Sequence, residues 1–240
     1  MKLLKNAFPL ILLATIPMMF ISCGDDGGPG KDGSVNVSKT IIVDELGERP
    51  FIITAEGITA DITIISGGGG GAGGVDYNGG GTHSTGGGGG GGASQVLELK
   101  GVTLETGGSY TAYVGDGGKG GIAGKPGEDG EESYIELNGV KVHFAAAGSG
   151  GKSNSIESKV GGEGGAGDPA GTKGGDGEDI GTNRMAAAGA GGTGGDNGSG
   201  YGQGGDGGLG TGIQSNNPVI ASPGTKGTKG YIKIVWTGRE

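Results

Sequence analysis

The sequence lacks most of the residues from which globular cores are built. Its 240 residues include one cysteine, one tryptophan, two histidines and eight prolines, and aromatic residues make up only 5%. A single cysteine excludes a disulfide within the chain. No window of about a dozen residues repeats apolar side chains every 3.6 residues, so we expect essentially no α-helix after the N-terminal segment.

Glycine dominates instead, with 67 residues. The small number of prolines excludes a collagen triple helix, which depends on imino acids for its stiffness. The formal net charge is −9. Because nucleic-acid binding depends on lysine and arginine that neutralise phosphates, we expect no nucleic-acid partner.

The first 22 residues have the composition of an export signal. Lys2 and Lys5 precede an apolar run over 8–21 that two prolines interrupt. This run is too short to span a hydrocarbon core of about 30 Å, which predicts a cleaved signal peptide over 1–22. Ser22 followed by Cys23 resembles the cleavage site of bacterial lipoproteins. That resemblance implies a covalent lipid on the Cys23 thiol, and we expect no other cofactor.

Residues 23–37 follow as a flexible acidic tether, rich in glycine and aspartate. The early pair Asp25 and Asp26 resembles the short acidic tags that send some lipoproteins to the outside of the outer membrane. We therefore expect a lipid anchor in the outer membrane, with the domain at the cell surface. The alternative is the periplasmic leaflet.

From residue 38 the pattern changes to short β-type runs. The segment Tyr134 to Phe144 predicts a hairpin, because both arms alternate in polarity and Asn138-Gly139 tolerates the positive φ of a two-residue turn. In the second arm, alternation places Lys141 and His143 together on a solvated face. Further strands are predicted over 40–43, 51–54, 58–65, 96–99, 102–104, 110–114 and 231–236.

Between the strands, glycine recurs every third residue in tracts such as 121–132, 161–179 and 224–229. A period of three is that of the polyproline II conformation, in which every amide and carbonyl points sideways. Glycine removes the Cβ between neighbouring backbones, so such helices can hydrogen-bond to one another. We therefore expect residues 38–240 to form one mainly β domain. In it, a small β-sandwich or meander scaffold clamps a bundle of polyglycine II helices.

The order of these pieces resembles the glycine-rich domain of phage tail-tip adhesins and of many bacterial surface proteins. The resemblance covers about Arg49 to Trp236. It rests on the strand-to-glycine step at 64–67, the unit 106–118, the segment 127–133, the step at 145–148 and the closing segment 227–236. It implies stacked polyglycine II helices on a small β scaffold, with loop tips that contact receptors. A lipid anchor is not part of the phage pattern.

Six residues within the glycine tracts are candidate ligand contacts: Asp76, Tyr77, Asn78, His83, Tyr201 and Gln203. Tyrosine on a glycine loop presents a large ring at low entropic cost, which suits a glycan or protein ligand at the loop tips. Packing of each tyrosine against a neighbouring glycine helix is the alternative.

Together these features predict a lipid-anchored cell-envelope surface protein that presents a glycine-rich module for adhesion or ligand binding. The alternatives are a structural spacer or surface-layer component without a specific ligand and, more remotely, an ice-binding protein. We expect no catalytic site and no metal site. Residues 174–179 match one calcium β-roll repeat, but a roll needs successive copies.

Overall fold

The structure is a computed structural model that describes residues 36–75, 84–155, 158–177, 188–214 and 217–239. This part of the chain forms β-strands and contains no α-helix. The strands are β1 Asn36–Val43, β2 Gly47–Ile52, β3 Glu56–Ile65, β4 Val96–Thr103, β5 Ser109–Val114, β6 Tyr134–Leu137, β7 Val140–Phe144, β8 Gly212–Gln214, β9 Asn217–Val219 and β10 Tyr231–Arg239.

Two four-stranded antiparallel sheets face each other across one hydrophobic core. The first sheet has the order β1-β10-β3-β4 and the second has the order β2-β5-β6-β7, while β8 and β9 form a separate small hairpin. Ile62 and Ile234 of the first sheet lie in the same buried cluster as Val114 and Ile135 of the second. The scaffold is therefore a β-sandwich, and the central position of β10 shows that it is not a meander.

The predicted hairpin is confirmed, with φ angles of 53° at Asn138 and 78° at Gly139. Its alternation is interrupted, however. Glu136 pairs with Lys141 whereas Ile135 pairs with His143, so one extra residue of β7 forms an irregularity between these pairs. His143 therefore lies on the side of buried Ile135, not on the solvated face with Lys141, and its partial burial lowers the pKa of its imidazole.

The runs over 96–99 and 102–104 belong to one strand, β4, rather than two. An irregularity between the pairs Ile62 with Leu99 and Ala60 with Val102 accounts for the break in the apolar pattern. There the Gly101 amide donates to Asp61 Oδ1 at 3.0 Å. This hydrogen bond, with the nearby Lys100, lowers the pKa of the Asp61 carboxyl.

Within the described residues, the glycine tracts form ten polyglycine II helices. Two of them, inner helix 1 (66–75) and inner helix 2 (85–94), are surrounded by the others. In inner helix 1 the direction of the amide changes with a period of three. Residues 67, 70 and 73 donate to the segment 125–131, residues 68, 71 and 74 to 222–228, and residues 69, 72 and 75 to inner helix 2, at 2.9–3.0 Å. This is the sideways bonding that the triplets predict.

Eight outer helices enclose the inner pair in chain order. They cover 115–124, 125–131, 146–152, 158–168, 169–177, 189–195, 202–211 and 222–230 and are numbered 1 to 8. Each bonds to the next in antiparallel fashion, and outer helix 8 closes the ring on outer helix 1 through Gly227 N to Gly118 O at 2.9 Å. The bonds from the inner helices arrange the bundle in rows of three, four and three helices.

Close approach of backbones explains the glycine content. A Cβ on Gly70 would lie 2.1 Å from the carbonyl oxygen of Lys119, and one on Gly91 would lie 2.1 Å from that of Gly69. Real carbon–oxygen contacts are rarely shorter than about 3 Å. The predicted bundle is therefore confirmed, together with the reason for its composition.

Buried serines tie the bundle to the sandwich. Ser66, where β3 passes into inner helix 1, donates from Oγ to the carbonyl of Ala145 and accepts from the amide of Ser133, both at 2.7 Å. Ser133 Oγ in turn accepts from the Gly115 amide at 3.0 Å. These bonds link the ends of β3, β5 and β7 and the start of β6, so the scaffold fixes four entries into the bundle.

Candidate functional site

The molecule has two poles that the strand register defines. Residue Asn36 pairs with Arg239, and Val43 pairs with Ile232, so β1 starts at the end of the sandwich away from the bundle. Over eight residues the strand spans about 23 Å. The bundle adds about 25 Å at 3.1 Å per residue. The distal pole, defined as 122–126, 153–155, 158–160, 209–214 and 217–221, is therefore roughly 50 Å from residue 36.

Several large apolar side chains are exposed at the distal pole. Ile122 is 68% exposed and Ile220 is 79% exposed, and Val160 and Leu209 are also exposed. Ile122 and Ile220 belong to the neighbouring first and eighth outer helices or the connection into them. Exposed apolar side chains that lie close enough to form one patch are typical of binding surfaces, whereas single ones are common on any protein.

Short polar side chains fix the outer helices from outside. Thr225 Oγ1 and Thr228 Oγ1 each accept from an amide of outer helix 7, that of Asp206 and that of Gln203, at 2.7 Å. Ser222 Oγ accepts from the Leu209 amide at 2.8 Å in the same way. These side-chain oxygens thus satisfy amides of outer helix 7 that donate to no neighbouring backbone carbonyl. The connections at the distal pole therefore start from helices whose outward amides are bonded in this way.

The six candidate contacts fall into two groups. Asp76, Tyr77, Asn78 and His83 lie outside the described residues, as does Cys23; Val75, the last described residue before 76–83, lies at the distal end of inner helix 1. Tyr201 and Gln203 instead lie at the scaffold pole, defined as the end of the bundle that adjoins the sandwich.

Tyr201 does not stand alone among glycines. Its ring stacks on that of Tyr231 with centroids 4.7 Å apart and an interplanar angle of 25°. Gln203 Nε2 donates to Asp196 Oδ1 at 2.6 Å. Both side chains have local structural partners, and Tyr231, which covers one face of Tyr201, begins β10.

Carboxylates of the bundle accept hydrogen bonds from its backbone amides. Asp176 Oδ1 accepts from the Gly161 amide at 2.7 Å, and this bond, together with Lys173, lowers the pKa of the Asp176 carboxyl. The Gly198 amide and the Gln203 side chain lower the pKa of Asp196 in the same manner. Within the described ranges no group of three or more His, Cys, Asp or Glu side chains is placed to hold a metal ion.

None of the helices in the described part is long and apolar enough to cross a membrane. The sequence model of a family described as a glycine-rich domain matches residues 47–238. The chain belongs to this glycine-rich domain family. No curated protein matches the chain. The family match covers the second sheet, β3, β4 and nearly all of β10 of the first sheet, and the bundle, whereas β1 precedes it.

Sequence reasoning missed the exposed apolar residues of the distal pole. Ile122, Leu209 and Ile220 each stand among glycines and polar residues, outside any predicted strand. An isolated large apolar residue at such a position has no hydrophobic core to pack into. This sequence pattern could have indicated that these side chains are exposed.

Proposed function

We propose that this chain is a lipid-anchored protein of the outer membrane that presents its glycine-rich domain at the cell surface for adhesion or ligand binding. The anchor is the Cys23 thiol, and residues 23–37 connect it to the domain. The ligand is a glycan or a protein that contacts the distal pole. The protein acts by binding rather than by catalysis.

The opposite placement of the two poles is the observation that carries this proposal. A tether that reaches the sandwich at residue 36 holds that end toward the membrane and leaves the distal pole facing away from it. The exposed Ile122 and Ile220 side chains then face outward. A bonded bundle between the poles keeps them apart, which a flexible glycine chain would not do.

A structural spacer is the second candidate, because the same rigid body would serve it. Exposed apolar side chains at the distal pole favour a binding role, since a spacer gains nothing from them. An ice-binding face is less well supported. Thr225 and Thr228 already accept hydrogen bonds from backbone amides, and the charged Asp206 and Lys226 share their surface.

Placement is tested with Cys23→Ala and with protease applied to intact cells. We expect the variant to leave the membrane fraction and the wild-type domain to be accessible to external protease or antibody. Protection of the wild-type domain until the outer membrane is broken would contradict surface presentation, and unchanged membrane retention of the variant would contradict the anchor.

Binding is tested by applying the full-length protein to a glycan array and to a panel of matrix proteins. The variants Ile122→Ser and Ile220→Ser should weaken any binding detected. The matched control is Ile42→Ser, which changes an exposed isoleucine of the sandwich that lies far from the distal pole. Absence of any ligand, or equal loss in the control, would favour the spacer.

A further inference from the structure

The solvent faces of the two sheets differ in chemistry. Across the first sheet, one outer row in register consists of Ile42, Lys233, Thr63 and Glu98. Across the second sheet, the row nearest the bundle consists of Glu48, Tyr113, Tyr134 and Phe144. Three aromatic side chains thus lie side by side on a surface where mixed polar residues are usual.

This aromatic row runs to an unpaired strand edge. The second sheet ends at β7, and no strand of the described residues pairs with its far side. Val140 is 64% exposed and Phe144 is 54% exposed on this strand, and Val142 is also exposed. Much of the Phe144 side chain therefore faces solvent. Unpaired edges with apolar side chains are templates for another strand.

Acidic side chains predominate around the row. Glu131 Oε2 accepts from the Tyr113 hydroxyl at 3.1 Å, and Glu132 pairs with Lys141 at 2.7 Å. Glu48 lies beside Tyr113, and Glu136 pairs with Lys141 across the strands. Four carboxylates thus lie around the row, together with the Lys141 ammonium, which pairs with Glu132. That ammonium lies 4.2 Å from the Tyr134 ring centroid and 5.8 Å from that of Phe144.

We propose that the β7 edge binds an extended basic polypeptide segment, which adds to the second sheet as a further strand. The main chain of the segment bonds to β7, its apolar side chains cover Phe144 and Val142, and its lysine or arginine side chains reach the carboxylates around the aromatic row. Lys141 shows the mode of recognition within the chain itself, as a cation held between Tyr134 and Glu132.

The charges and ring geometry argue against other occupants. A second copy would bring its own acidic surroundings to the same edge, because two β7 strands would approach with Glu132 and Glu136 on both sides. A sugar would need an open ring face. The Tyr113 and Tyr134 rings stack on each other with centroids 4.9 Å apart and an interplanar angle of 14°, and Lys141 covers the next face of Tyr134.

The test uses the full-length protein and fluorescently labelled synthetic peptides of alternating lysine and valine. We expect saturable binding that weakens as ionic strength rises from about 0.05 to about 0.5 M, because exposed charges are screened. A peptide with glutamate in place of lysine should not bind. Phe144→Ser and the double variant Glu132→Gln with Glu136→Gln should each weaken binding about tenfold. The matched control Ile42→Ser should bind as the wild type does.

Amide hydrogen exchange provides an independent measurement. The basic peptide should slow exchange in β7 and leave β1, the edge strand of the other sheet, unchanged. Equal binding of the acidic peptide, equal weakening by Ile42→Ser, or slowing confined to β1 would overturn the proposal. Self-association through β7, or binding of a neutral oligosaccharide that depends on Phe144 in place of the peptide, would assign the edge to a different occupant and would also overturn it. None of these results bears on the distal pole.

Discussion

Substitution of Gly70 by alanine tests whether the bundle depends on close backbone approach. Gly70 lies in the middle of inner helix 1, where its amide donates to the carbonyl of Glu128 and its carbonyl accepts from the amide of Gly151, both at 2.9 Å. The new Cβ would lie 2.1 Å from Lys119 O. Outer helix 1 must therefore move away by about 1 Å to restore an ordinary contact.

The expected loss of stability follows from the contacts that this movement disturbs. Overpacking costs about 1–3 kcal/mol. Outer helix 1 donates to inner helix 1 from the Gly118 amide to Gly68 O and from the Gly121 amide to Gly71 O, both at 2.8 Å, and weakening of these two bonds adds about 0.5–1.5 kcal/mol each. The lower entropy of the unfolded alanine chain offsets about 0.4–1 kcal/mol. We therefore expect the free energy of unfolding to fall by about 1–5 kcal/mol, a large share of the 5–15 kcal/mol that is typical of domains.

Gly175→Ala is the matched control. A Cβ there would meet its nearest atom, the Ala190 nitrogen, at 3.1 Å and the next at 3.5 Å, so a small adjustment suffices. We expect this variant to lie within about 1 kcal/mol of the wild type. Urea unfolding can be followed through Trp236, which is the only tryptophan and is buried in the sandwich. Equal stability of the two variants would refute the role of close packing.

Three further substitutions test the links around the bundle. Ser66→Ala should lower the free energy of unfolding by about 1–3 kcal/mol in the same urea assay, because it leaves a buried amide without an acceptor; unchanged stability would contradict the serine junction. Thr225→Val should cost only about 0.5–1 kcal/mol, since water can replace the hydroxyl, and it should speed exchange of the Asp206 amide. Asp176 has a folded-state pKa below its unfolded value, so its contribution to stability is present above the unfolded pKa and is lost as pH falls through the folded one. Unfolding midpoints measured between about pH 7 and pH 3 should therefore fall less steeply for Asp176→Asn than for the wild type.

The bundle was predictable because its signal is a backbone property. Glycine at every third position requires close neighbours in the polyproline II conformation, whatever the other residues are. The order of the helices was not predictable in this way. The triplets at 161–168 and 224–230 present the same glycine edge, so the sequence does not distinguish which tract lies beside which. Side-chain caps such as Thr228 on the Gln203 amide specify neighbours, but short polar residues are frequent throughout the tracts.

The positions of the strands were predictable from the sequence. Which of their side chains face the core was predictable only in part. Alternation identified β3, in which Ile58, Ile62 and Ile64 are buried. In β7 a single irregularity places His143 on the opposite face from the predicted one. No residue type in that strand indicates the irregularity from the sequence. The partner of Tyr201 was not predictable for a different reason, because Tyr231 is near in space and 30 positions away in the sequence.

The two ends of the bundle are subject to different physical constraints. At the scaffold pole, connections are held by specific contacts, as between Tyr201 and Tyr231 or between Gln203 and Asp196. At the distal pole a connection has only to return the chain to the next triplet, because the bonding of each helix is set along its length by its neighbours. Among the described connections the specific contacts are local, such as those from Asn154 Nδ2 to the carbonyls of Val160 and Gly161, so the exposed positions between them are less constrained. In a domain built in this way, the residues that determine the fold differ from the residues that are available for recognition. The residues available for recognition lie at one end of the bundle.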